Sequence, residues 1–194
     1  MLTLEEIKTK VQNNMSDYRY EHSLRVSDYA MKLAELNGYD VQKAQITGLV
    51  HDYAKEVSTE KFLDEIDRHQ LDPELKKWSS AIWHGVVGAE IIREELEIVD
   101  DEILNAVRVH TTGAVDMTTL DKILFMADWL EPKREEEFNE SDLDYKGIKT
   151  NTEKDLDYGV PVQLSFSIEH VASKKKAIYP TTLFAYNWWV GEIK

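Results

Sequence analysis

Apolar residues recur at three- and four-residue spacing through almost the whole chain, and only eight glycines and four prolines interrupt them. That period stacks apolar side chains on one face of a helix. No stretch of useful length alternates apolar with polar residues as a half-buried strand would, and no internal repeat is found. The expected fold is all-α, a single helical bundle. Leu4, Ile7 and Val11 mark a first helix. Leu24, Ala30, Leu33 and Leu36 mark a second that ends near Asn37-Gly38. Asp40, Ser58 and Asp72-Pro73 open further helices, the first running up to His51. One more is expected to start after Trp83-His84-Gly85, and others over 100–110 and 118–130. Residues 131–147 read as an exposed polar connection. A long helix over 152–175 and a last one capped by Thr181 close the chain.

With 194 residues and 42% apolar content the chain can bury a real core, despite a net charge of −14. Lys+Arg number 23 against 37 Asp+Glu, which excludes the broad cationic field that non-specific nucleic-acid binding needs. The absence of cysteine removes disulfides, thiolate catalysis, iron–sulfur clusters and cysteine-ligated zinc. Any metal must therefore sit among imidazoles and carboxylates. The N-terminal stretch lacks the apolar segment of a signal peptide, and runs such as Ile123–Ala127 or Trp188–Val190 are far too short to span a bilayer. The cytoplasm is the expected compartment, with neither membrane nor nucleic acid as partner.

Four of the six histidines stand in contexts suited to chemistry. His51-Asp52 follows the apolar run Ile46–Val50, so an imidazole and a carboxylate meet where the interior begins. Asp128 repeats this inside Ile123–Leu130. Burying a carboxylate without a compensating partner is costly, and one cation would satisfy both. His22 precedes the apolar face of the second helix. His84 precedes Gly85, and His110 ends a helix before Thr111-Thr112-Gly113. A mixed N/O donor set of this kind suits Fe, Mn, Zn, Co or Ni better than Ca or Mg. His69 and His170, among polar residues, read as ordinary surface histidines. A single histidine of this kind is usually structural, and Asp128 alone also reads as the buried partner of an arginine; the ordered set His22…His51-Asp52…Asp128 carries the argument.

That order resembles the H…HD…D pattern of the HD-domain superfamily of metal phosphohydrolases. The stretches Tyr20–Val26, Gly48–Glu56, His84-Gly85, Val109–Gly113 and Ala127–Arg134, with Tyr179-Pro180 and Asn187-Trp188 near the end, are similar to the YqeK-like subfamily. These are bacterial hydrolases that cleave diadenosine tetraphosphate symmetrically. Tyr53, and Ala114-Val115-Asp116 after Gly113, depart from the pattern without removing a ligand. The resemblance implies one HD domain over 1–194, with a metal-binding core over about 18–132 and C-terminal helices over about 150–192 packing on it. It implies two divalent metals, iron first. His22, His51, Asp52 and Asp128 would hold one metal; Asp52 would bridge to the second, held also by His84 and His110. A metal-activated hydroxide would then give two ADP. It also favours a homodimer.

Asp52 and Lys55 are the expected catalytic residues. Lys55 follows Asp52 by three residues, about one helical turn if the helix continues, and so can reach a substrate phosphate. Arg25, Thr111 and Arg134 are the other expected phosphate contacts, each cation standing equally well as a solvated charge. Trp83, Trp129 and Tyr53 are candidates for stacking on a base, although aromatics near helix ends more often pack. The runner-up reading is another HD phosphohydrolase, acting on a nucleoside monophosphate, a cyclic dinucleotide or ppGpp, and a non-catalytic nucleotide sensor is the alternative from another class.

Overall fold

A computed structural model describes residues 2–138 and 143–191. It is 72% helical, and no strand occurs among the described residues. The helices are α1 (Leu4–Asn14), α2 (Asp17–Leu36), α3 (Val41–Val50), α4 (Thr59–Arg68), α5 (Ser80–Val86), α6 (Gly88–Glu95), α7 (Asp101–Val109), α8 (Thr119–Leu130), α9 (Arg134–Phe138), α10 (Tyr145–Lys154), α11 (Leu156–Ser173) and α12 (Pro180–Trp189), with a 3-10 turn at Pro73–Lys77. Side-chain caps explain most of the starts. Thr3, Ser16, Asp40, Ser58, Asp100 and Thr118 each accept a backbone N–H of the first turn.

The centre of the bundle is α8. Leu120, Ile123, Leu124, Phe125, Met126, Ala127 and Leu130 are all buried, so this helix is apolar around most of its circumference, the pattern of a helix surrounded by others. It packs against α2, α7 and α11, while α3 lies along α2. The α2–α3 approach depends on Gly48, where a Cβ would stand 2.7 Å from Ser27 Cα and 2.9 Å from Ser27 N. Two backbones can come this close only where one of them carries no side chain. The segment after α3 is pinned from outside as well. Asn14 donates to the Tyr53 carbonyl at 2.9 Å, and the Ser16 N–H and hydroxyl both donate to Glu56 at 2.7 Å.

Several sequence expectations need correction. Residues 131–138 and 143–147 are not simply an exposed connection. Phe138 and Tyr145 are buried in an aromatic cluster with Trp129 and Phe166, and the Tyr145 hydroxyl donates to the Leu130 carbonyl at the end of α8. Residues 139–142 of that expected connection lie outside the described residues. The long helix expected over 152–175 is interrupted at Asp155, whose extended backbone and side chain cap α11. The last helix starts with Pro180 at its first turn, not with a Thr181 cap. His84 lies in the last turn of α5 rather than ahead of a helix start. No helix of the described residues is long and apolar enough to cross a membrane.

Candidate metal centre

Four helices deliver their C-terminal ends to one place. His51 caps α3, His84 lies in the last turn of α5, His110 caps α7 and Asp128 lies in the last turn of α8. The second turn of α2 adds His22, and Asp52 follows His51 directly. Gly113, at φ +65°, ends α7 by returning its N–H to the Val109 carbonyl at 2.8 Å, which holds the His110 turn in shape. The six residues that the sequence points to thus converge. His22, His51, Asp52, His84 and His110 are buried, and Asp128 is partly exposed.

Asp52 divides the cluster. Its Oδ2 faces His22 Nε2 at 4.0 Å and His51 Nε2 at 3.7 Å. Its Oδ1 faces His84 Nε2 at 3.5 Å and His110 Nε2 at 3.7 Å. Asp128 Oδ1 joins the first group, 3.0 Å from His22 Nε2 and 3.7 Å from His51 Nε2.

The imidazole orientations follow from hydrogen bonds on the far side of each ring. Nδ1 of His51, His84 and His110 lies 2.7 Å from the carbonyls of Gly48, Ser80 and Val107, respectively. A carbonyl can only accept, so each Nδ1 carries the proton and each Nε2 presents a lone pair inward. His22 differs, since its Nδ1 meets Glu131 Oε1 at 3.3 Å. Burial works against a charged His22, but Asp128 and Glu131 outweigh it and raise its pKa to about 9. Burial also works against ionised Asp52. The positive charge that His51, foremost, gains when its Nε2 takes up a proton, together with that of Lys55, holds it well below the usual carboxylate range. His84 is driven the other way, well below the ordinary imidazole value, by burial and by Lys55 and His110.

The donor set fits divalent metal. Among the described residues, His51 Nε2 and Asp52 Oδ1 are buried with no hydrogen-bond partner, a cost that inward-facing ligand atoms escape when they coordinate a cation. Two overlapping triads, His22/His51/Asp128 and His51/Asp52/His110, each bring three ligand atoms within 4.8 Å of one another. A third group, Glu65/His69/Glu94, is spanned by the Arg68 guanidinium, which bonds both carboxylates. That arrangement is already neutralised as a surface ion-pair network. His170 is exposed and stacks on Phe166.

Around the cluster stand cations that offset the acidic balance locally. Lys55 Nζ is 2.9 Å from His84 Nε2 and 3.5 Å from Asp52 Oδ1. Arg134 Nη2 is 3.8 Å from Asp128 Oδ1. The Thr111 hydroxyl is 3.0 Å from His84 Nε2 and 3.1 Å from His110 Nε2. Arg25 is turned partly aside, its Nε donating to Glu131 Oε2 at 2.9 Å. Two members of the site went unnoticed in the sequence. Arg19 donates to Asp52 Oδ2 at 2.8 Å, and Glu131 joins His22 to Arg25, its own carboxyl lowered to about 2 against burial by those two partners. Both stand three residues from a ligand, Arg19 before His22 and Glu131 after Asp128. That helical spacing was the available signal.

The three aromatics considered for base stacking are all buried. Trp83 gives its indole N–H to the Leu75 carbonyl at 2.7 Å, Tyr53 gives its hydroxyl hydrogen to Glu95 at 2.8 Å, and Trp129 packs on Phe138 and Phe166. None offers a free face.

Comparison with known proteins agrees with this geometry. The model of the HD domain family matches residues 19–133. The symmetrical bis(5'-nucleosyl)-tetraphosphatase of Bacillus subtilis is 32% identical over 190 residues, covering 96% of this chain and 97% of its own. The protein of the same name from Staphylococcus aureus is 37% identical over 133 residues, 69% of each chain. A crystal structure from Clostridium acetobutylicum, described as a predicted HD superfamily hydrolase involved in NAD metabolism, superposes with a TM-score of 0.89 at 30% identity and covers 99% of both chains. The chain belongs to the HD-domain family and, within it, to the group of the symmetrical bis(5'-nucleosyl)-tetraphosphatases.

Proposed function

We propose that this chain is a metal-dependent hydrolase that takes diadenosine tetraphosphate to two ADP. One observation carries the reading: the two oxygens of Asp52 face two different histidine groups, the disposition of a carboxylate shared between two cations. His22, His51, Asp52 and Asp128 would hold one metal, and Asp52, His84 and His110 the other. Iron is the first choice, and Mn, Co, Ni or Zn suit the same imidazole and carboxylate donors. Such a pair of ions, when bound, lowers the pKa of water and neutralises phosphoryl oxygens.

The chain's own residues do the rest. The main-chain carbonyls behind His51, His84 and His110 keep three lone pairs aimed inward. Lys55, Arg134 and the Thr111 hydroxyl border the cluster and are placed to bind the tetraphosphate, with Arg19 completing the cationic rim. Arg25 contributes through Glu131. In the reaction a water oxygen bonds to one inner phosphorus. The oxygen bridging the two inner phosphorus atoms leaves with its electron pair, so each half departs as ADP. We take residues 1–194 as one HD domain, with α11 packed on α8 and α12 on α11. We place it in the cytoplasm, as a homodimer through the exposed Leu183 and Phe184 of α12.

Anaerobic purification, a metal count and product separation on one preparation test the reading. Metal near two per chain with ADP as the sole product is expected. AMP plus ATP, or bound metal without turnover, would overturn the substrate assignment.

A further inference from the structure

With Trp83, Trp129 and Tyr53 buried, the reading above lacks a surface for the nucleoside. Tyr18 supplies one. It is 61% exposed, in the first turn of α2. It precedes His22 by four residues, and side chains at that spacing share one helix face. Its neighbours tie it to the site. The Arg19 guanidinium carbon is 5.9 Å from the ring centre, and the same guanidinium donates to Asp52 Oδ2 at 2.8 Å. The Lys133 ammonium lies 5.6 Å from the ring centre, on the turn whose Glu131 holds His22. Arg19 thus links the ring to Asp52, and the two cations beside the ring suit the phosphates that would run between base and metal ligands.

Among the described residues the other exposed large aromatics, Tyr158 and Phe184, lie on α11 and α12. An aromatic side chain left in water beside a polyphosphate-binding rim has the chemistry of a base platform, because every nucleobase offers a π-face. We propose that Tyr18 is a specificity-determining residue, stacking on the nucleobase of one half of the dinucleoside polyphosphate. This rests on the substrate reading above.

The test uses the metal-loaded full chain, with Tyr18→Ala and Tyr18→Trp. Tyr18→Ala should raise KM for diadenosine tetraphosphate, and weaken ADP binding in calorimetry, by about tenfold. The turnover number, metal content and affinity for inorganic pyrophosphate should stay unchanged. Tyr18→Trp should restore or tighten ADP binding. Equal ADP affinity in wild type and Tyr18→Ala would overturn the platform, as would a parallel loss of ADP and pyrophosphate binding. If ADP binding depends on Tyr18 while diadenosine tetraphosphate is not cleaved, the platform stands and the substrate reading falls.

Discussion

The Nε2 atoms of His84 and His110 lie 3.1 Å apart, and both rings have committed their Nδ1 protons to main-chain carbonyls. Two lone pairs facing each other at that separation repel unless a cation or a donated proton offsets them. His84→Ala and His110→Ala should each take metal content from about two to about one per chain. Turnover of diadenosine tetraphosphate should fall more than about 100-fold. Elemental analysis beside the assay decides this; full loading and activity in both variants would mean a single-metal site.

Glu131 is the carboxylate behind His22, and Arg25 holds it in turn. Removing it as Glu131→Ala should weaken metal binding about 10- to 100-fold, with Glu131→Gln between the two because an amide oxygen still accepts from Nδ1–H. Titration against a competing chelator measures this. Unchanged affinity in Glu131→Ala would show that His22 needs no such support.

Helix periodicity, and the placing of His22, His51, Asp52 and Asp128 beside apolar runs, made the bundle and the cluster legible in the sequence. Arg19 and Glu131 were not, because polar local sequence concealed them. Asp17–Glu21 reads as a solvated helix start, and Glu131-Pro132 reads as a helix stop. The meeting of α2 with α8 and with the turn after α3 brings Glu131 to His22 and Arg25, and Arg19 to Asp52. Spacing along α2 offers Arg25 equally as a phosphate contact or a solvated charge, and says nothing of Glu131, the carboxylate that arrives from the end of α8. Trp83, Trp129 and Tyr53 carry both readings in the sequence, and neighbouring helices bury all three, the commoner outcome for aromatics near helix ends.

Lys55 stands closest to the side of Asp52 that faces His84 and His110. Lys55→Ala should retain the metal complement yet lower turnover of diadenosine tetraphosphate about 100-fold, as expected for loss of one charge aimed at phosphoryl oxygens. Turnover at the wild-type level with metal fully bound would remove Lys55 from the reaction.

Gly48 sets the distance between α2 and α3 and supplies the carbonyl that His51 uses. Gly48→Ala would drive a methyl group into Ser27 backbone, costing about 3 kcal/mol. In a chain of this size that lowers Tm by about 6–12 °C. A calorimetric scan showing no shift would mean that the two helices slide apart at little cost.

Glu95 receives hydrogen bonds from Lys61 and from Tyr53, the residue after Asp52. Burial pushes its carboxyl up, but those two donors prevail and hold it below the ordinary 4.5. The unfolded chain therefore takes up this proton at a higher pH than the folded chain. The stabilisation is present above about pH 4.5 and is lost as pH falls through the depressed value. Tm measured from about pH 6 to about pH 3 should decline less steeply in Glu95→Gln than in wild type; parallel curves would contradict this.

The convergence of the α3, α5, α7 and α8 C-termini has a consequence for the order of events. Each helix end carries partial negative charge, and together with Asp52, Asp128 and Glu131 it makes a floor that welcomes a cation, inside a rim of Lys55, Arg19 and Arg134 that suits a polyphosphate. A phosphate reaching from the rim down to that floor meets favourable charge there only once the floor holds a cation. Starving the protein of metal would then weaken its hold on the nucleotide as well as silence the chemistry.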